Sequence, residues 1–181
     1  MIRTLFRLAR HARRAARREE GSASVEFVIL FPMFMILFVS CFESAMLMTR
    51  QVMLERAVDL SVRGLRLGTW TPPTHTDLKK NICRLAGIIP DCMNVILVEL
   101  RPVSTETWSP LNNSPTCVDR SQAIQPVTTV DGGLDNEMML VRACVKVKPL
   151  FPATGLGMIL PKDGWNSYAL VSTSAFVNEP S

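Results

Sequence analysis

Catalytic signatures are missing from this sequence. It contains no G-x-S-x-G, no H-E-x-x-H and no C-x-x-C, which excludes the usual serine-nucleophile, zinc-protease and dithiol arrangements. Histidine is scarce, with two in the chain, and His75 has no second histidine near it to share a metal. His75 and Asp77 flank a threonine in a proline-bounded stretch that offers no positioned nucleophile. The glycines of GLGMIL (155–160) follow Pro152 rather than a strand, so a phosphate-cradling loop is not expected there. The residues therefore argue against an enzyme, and no cofactor or metal is expected.

Surplus charge is also missing from most of the chain. The formal net charge is +4, yet residues 69–181 hold nine Lys/Arg against ten Asp/Glu, and residues 22–68 hold four against four. The excess lies in residues 1–21, where seven arginines outweigh Glu19 and Glu20. Nucleic-acid binders place their basic residues on a folded surface, so nucleic acid is not an expected partner. Positive charge beside an apolar segment instead marks the cytoplasmic side of a membrane.

That apolar segment dominates what is present. Phe27 to Phe42 is sixteen residues without a charge, about 24 Å of helix and slightly short of a ~30 Å hydrocarbon core. Ser22–Val25 and Ser44–Met48 are mostly small or apolar, so a span over about 25–48 fits if Glu26 and Glu43 sit near the two interfaces. A core helix of a globular domain would show a polar face, and this run shows none. Pro32 lies inside it and should bend the helix locally, which a membrane environment tolerates. Beyond Met48, Leu54, Val58, Val62 and Leu65 recur at helical spacing among charged residues, with Asp59 and Arg63 placed for an i,i+4 pair. Residues 22–68 thus read as one helix, membrane-buried first and amphipathic after, stopped at Gly68.

Residues 69–76 read as a linker because of the tandem prolines. The remainder, 77–181, reads as a small α+β domain. A short helix is expected from Asp77 to about Ala86, and strands over Asn94–Arg101, Glu137–Val147 and Trp165–Val177, packed as an antiparallel sheet on the long helix. Pro102 to Gly133 reads as a long polar loop, and 148–164 as a Pro/Gly-rich passage. Trp70, Trp108 and Trp165 are expected as buried anchors of this small core. Of five cysteines, Cys41 lies in the apolar run and four lie beyond it. An even number beyond a membrane segment suggests disulfides in an oxidising compartment. Three pairings are open. Cys83–Cys92 with Cys117–Cys144 closes the two shortest sequential loops and is the expected one, each bridge contributing roughly 2–4 kcal/mol.

Gly21 closes the arginine-rich leader (1–21), Glu26 follows five residues later beside Phe27, and the apolar run follows that. Together with the sequel ESAMLMTRQVMLERAVDLSVRGLRLG, these residues resemble the TadE-like family of minor pilins or pseudopilins of the tight-adherence (Flp) pilus, over roughly residues 21–68. The resemblance places the family's later Glu, Gln, Ala and Arg positions at Glu43, Gln51, Ala57 and Arg63. It implies cleavage by a prepilin peptidase after Gly21, leaving Ser22 as the mature N-terminus. It further implies an inner-membrane protein with a periplasmic domain, other pilin-like subunits and the pilus machinery as partners, and a role in adhesion and biofilm formation. Glu26 then has a physical task. A carboxylate carried to mid-bilayer costs about 2.5–3.5 kcal/mol, and the α-amine of Ser22, on the same or a neighbouring subunit, would neutralise it. Two other readings are weighed: an uncleaved single-pass anchor with a periplasmic binding domain, and a lipoprotein acylated at Cys41 of FVSC (38–41).

Overall fold

The computed structural model describes residues 22–69, 74–107, 115–122 and 124–179. The leader with Gly21, residues 70–73 of the linker with Trp70, and Trp108 lie outside the described residues.

Helix α1 spans Ser22–Arg66, 45 residues that continue through Pro32, about 67 Å long. Its two halves have different surroundings. Every apolar side chain from Val25 to Phe38 is exposed. From residue 43 onward a buried stripe appears: Glu43, Arg50, Leu54, Ala57, Val58, Ser61, Val62 and Leu65. Gly68 ends the helix at φ +63°, where Gly68 N donates to Leu65 O (3.0 Å) and Thr69 N to Gly64 O (3.1 Å). A left-handed glycine here satisfies carbonyls that the last turn would leave open. Asp59 and Arg63 form no ion pair with each other among the described residues. Both line a groove between α1 and the end of the last strand.

Helix α2 (His75–Leu85) starts at Thr74, whose side chain accepts from Asp77 N. It buries Leu78 and Ile82 against α1, and Asn81 reaches Ser61 Oγ on that helix (3.0 Å). The one-turn helix α3 (Cys92–Val95) delays the first strand, which begins at Ile96 rather than Asn94. Strands β1 (Ile96–Pro102), β2 (Met138–Val147) and β3 (Tyr168–Val177) form an antiparallel sheet in the order β1-β2-β3. In its register Val98 faces Ala143 and Ala143 faces Ser172. Alternation therefore sends Ile96, Val98, Leu100, Val141, Val145, Val147 and Leu170 to one face, where they meet α1 and α2. This is the α+β arrangement expected from the sequence. The amphipathic half of α1 finds its partner within its own chain.

Three features depart from the sequence reading. β3 starts at Tyr168 rather than Trp165, because Asp163–Asn166 forms a turn. Asn166 N donates to Asp163 O (2.9 Å), and Asp163 Oδ1 accepts from Trp165 N (3.0 Å) and Ser167 N (2.9 Å). Trp165 sits on that turn, exposed rather than buried. The loop after β1 is not free: Val130 bridges Leu100 at the sheet edge, and Cys117 bonds Cys144 on the outer face, beside its buried strand partner Leu97. Finally, the Pro/Gly-rich passage contains a short helix, α4 (Gly155–Ile159).

Candidate functional site: the junction between the exposed helix and the folded domain

Followed from its exposed end, α1 meets its first buried side chain at Glu43, which is 0% exposed. The segment covering it is the strap from Lys148 to Phe151 that follows β2. Pro149 and Pro152 have no N–H, so Leu150 and Phe151 hold the amides between them. Leu150 N donates to both carboxylate oxygens of Glu43 (3.1 and 2.9 Å), and Phe151 N donates to Oε2 (2.9 Å). Backbone N–H groups aimed at a carboxylate make charge-assisted bonds, shorter and stronger than neutral ones.

Arg50 lies seven residues on, hence on the same face of α1. It is 5% exposed, and its Nη1 donates to Lys148 O (3.1 Å) and Tyr168 Oη (3.2 Å). Its Nε is buried without a hydrogen bond. The strap is thus clamped by two charges of opposite sign. The guanidinium takes a carbonyl oxygen and the carboxylate takes the following amides, so each buried charge meets the matching end of backbone dipoles. A buried charge with no such partner would cost several kcal/mol. Gln51 adds a third tie, donating to Val171 O at the free edge of β3 (3.0 Å) and to Glu55 (2.7 Å).

Below Glu43 the contact continues. Gly155 opens α4 at φ +48° and backs onto α1, where an added Cβ would collide with Ser40 Oγ and come within 3.6 Å of Ile36 O. Gly157 is equally close to the carbonyl oxygen of Phe151. Gly155 is needed for its left-handed backbone against the Ser40 side chain of α1, and Gly157 for the close approach of α4 to the Phe151 carbonyl of the strap. The Phe151 ring meets Phe42 edge-on at 6.3 Å.

The residues singled out at the processing end lie elsewhere. Ser22 begins α1, Glu26 and Phe27 are exposed on it, and Phe27 stacks obliquely on Phe31 at 5.1 Å. Seventeen residues, about 25 Å of helix, separate Glu26 from Glu43. The four later cysteines form two bridges, Cys83–Cys92 tying α2 to α3 and Cys117–Cys144 tying the long loop to β2, while Cys41 is free and exposed. His75 makes a 3.0 Å hydrogen bond with Thr128. Burial first, then the Lys79 charge, holds its pKa below the ordinary value, against an opposing bond to the Val98 backbone. Among the described residues no group of three or more His, Cys, Asp or Glu is placed to hold a metal ion.

Reasoning on the sequence placed Glu43 at an interface of the apolar span and met it again, with Gln51, through the family resemblance. It missed Arg50 and the strap altogether. The usable signal was the P-x-x-P of residues 149–152, which leaves two amides no sheet can pair.

A helix long and apolar enough to cross a membrane, continuous with the spine of a small disulfide-bonded α+β domain, defines a pilin-like class of protein. Residues 21–63 match the family model described as TadE-like protein, and over that segment the chain is similar to that family. Comparison with curated proteins and with solved structures finds no match.

Proposed function

We propose that this chain is a pilin-like subunit of the Tad pilus machinery, held in the inner membrane by the first half of α1. Its basic leader lies in the cytoplasm and its disulfide-bonded domain in the periplasm. A prepilin peptidase cuts after Gly21, the helix is retained, and Ser22 becomes the N-terminus. Glu26 then pairs with an α-amine, its own or a neighbour's, when helices are gathered in an apolar assembly. The protein acts by packing, not catalysis. Because the amphipathic half of α1 is already occupied by its own domain, contacts with other pilin-like subunits fall to the exposed half around Pro32.

The observation that carries this reading is the change of surroundings along one helix. An 18-residue window of mean hydropathy 2.4 is 0% buried, while the continuation is the backbone of a core. Water would not leave so much apolar surface open. The continuous helix through Cys41 also favours retention over lipoprotein processing, which would cut α1 two residues before Glu43.

N-terminal sequencing of the membrane form, in cells with and without the peptidase, tests the reading. A sequence starting at Ser22 only when the peptidase is present is the expected result. An intact Met1 in its presence would support an uncleaved anchor, and an acylated Cys41 a lipoprotein. Gly21→Leu should leave full-length protein on an immunoblot; mature-size protein from that variant would refute the assigned cut.

A further inference from the structure

From Leu150 to Pro161 the chain runs LFPATGLGMILP, twelve residues without a charge, bracketed by Lys148 and Lys162. The fold carries this stretch down alongside the part of α1 that precedes Glu43. Gly155 rests on Ser40 and Ile36, three to seven residues nearer the N-terminus than Glu43. At ~1.5 Å per residue, that is roughly 5–10 Å along the helix. Leu150 and Phe151 remain 42% and 39% exposed, and Met158 and Ile159 62% and 76%. These side chains serve neither the core nor the Glu43 clamp, which uses backbone amides alone.

We infer that residues 150–159 form a shoulder of the domain that enters the bilayer leaflet facing it, a second membrane contact beside the spanning helix. The inference rests on the proposed membrane reading of α1 and adds a lipid-binding surface to it. Three observations favour lipid as the occupant. The exposed apolar surface of the shoulder is continuous with that of α1 through Phe42 and Phe151, whose rings touch. The depth of the contact matches the ~5–10 Å to which interfacial segments sink at the headgroup boundary. The charges at its two ends are both lysines, which suit anionic headgroups. Lys162 Nζ is held over the shoulder by the carbonyls of Gly157 (2.6 Å) and Pro152 (3.1 Å), placing a cation where the apolar stretch ends.

The test uses the full chain reconstituted in vesicles of phosphatidylethanolamine and phosphatidylglycerol. In a Cys41→Ser background, single cysteines are introduced by Ile159→Cys, by Ile29→Cys on the exposed helix and by Thr173→Cys on the exposed outer face of β3. Each is labelled with a nitrobenzoxadiazole fluorophore and quenched by lipids spin-labelled near the top of the acyl chain. The inference expects quenching at 159 to exceed that at 173 several-fold. Quenching at 159 equal to that at 173, with 29 strongly quenched, would overturn the shoulder and leave the spanning helix standing. No lipid quenching at 29 either would remove the membrane reading and the inference together. A label at 159 that lipid does not quench, yet is shielded from aqueous iodide that still reaches 173, and more so as protein density rises, would assign the patch to another subunit and overturn the inference.

Discussion

Glu43→Gln is the sharpest perturbation the junction offers, because it keeps the side chain's size and removes its charge. The wild-type carboxylate accepts from two backbone amides, Leu150 N and Phe151 N. Hydrogen bonds to a charged group contribute about 1.5–3 kcal/mol each, and a buried N–H left without an acceptor costs about 1–3 kcal/mol. The one oxygen of glutamine can take the place of Oε2, which already accepts from both amides, so both bonds become weaker neutral ones while an NH2 group replaces the second acceptor of Leu150 N. Relief of burying a charge offsets part of the loss. The strap should therefore be less firmly docked by about 2–4 kcal/mol, which at about 1.4 kcal/mol per decade is roughly 30- to 1000-fold in its opening equilibrium. Hydrogen exchange in detergent reads this directly. The amides of Leu150 and Phe151 should lose protection by that factor, while Ala143 and Ser172, paired in the middle of the sheet, keep theirs. Protection of the two strap amides within threefold of wild type would refute the argument that the carboxylate holds them. Uniform loss across strap and sheet would also refute it, by showing a core defect instead.

Gly155→Ala puts a Cβ against Ser40 Oγ at a left-handed backbone position, and should lower stability by about 1–3 kcal/mol; Ser40→Ala, by removing the hydroxyl, should restore part of the loss in a melting experiment, and a neutral Gly155→Ala would show the approach to be loose. Replacing Cys117 and Cys144 together with serine frees a loop whose ends are 27 residues apart, and should cost roughly 2–4 kcal/mol, a fall of about 10–25 °C in melting temperature for a domain near 100 residues; an unchanged melt would mean the loop is held by its edge pairing alone. His75 titrates below its ordinary value of 6.5 because burial and Lys79 disfavour its charged form. Its contribution to stability is therefore complete above about pH 6.5 and is lost as pH falls through that value toward the folded-state pKa. His75→Gln should flatten the stability profile in that window, and an unchanged slope would assign the acid sensitivity elsewhere.

The α+β architecture was legible because period decides it. Val141, Ala143, Val145 and Val147 alternate, and Leu54, Val58, Val62 and Leu65 recur at helical spacing, so strand and helix faces could be drawn before any contact was known. What stayed hidden depends on contacts far apart in sequence. Arg50 reads as one more surface charge of an amphipathic helix until Lys148 and Tyr168, 98 and 118 residues away, close over it. The short helix α4 was masked by its own glycines. Gly155 and Gly157 read locally as breakers, whereas they let α4 lie against the Ser40 side chain of α1 and the Phe151 carbonyl of the strap. Trp165 misled for the related reason that hydrophobicity does not report position, and the Asp163 turn turns it outward.

On the membrane reading, the polarity of the clamp has a physical reason. An apolar contact between α1 and the strap at this level would be a poor choice, because lipid tails satisfy a leucine as well as another leucine does. Such a contact would not distinguish a docked helix from one that has slid deeper into the bilayer. A carboxylate bonded to two backbone amides does distinguish them. Moving Glu43 one turn toward the membrane centre, about 5 Å, would strip both bonds from it and leave Leu150 N and Phe151 N without acceptors between two prolines. Arg50 penalises the opposite slide, since retreat from the membrane takes its guanidinium off Lys148 O. Two buried charges of opposite sign, two turns apart on one face, therefore fix the depth at which the domain rides on its anchor. This demands that an Arg50→Met variant, apolar and similar in length, pack stably yet lose that register: the label at Ile159 should then report a broader range of depths than in the parent chain, and an unchanged depth profile would show that Glu43 alone sets the position.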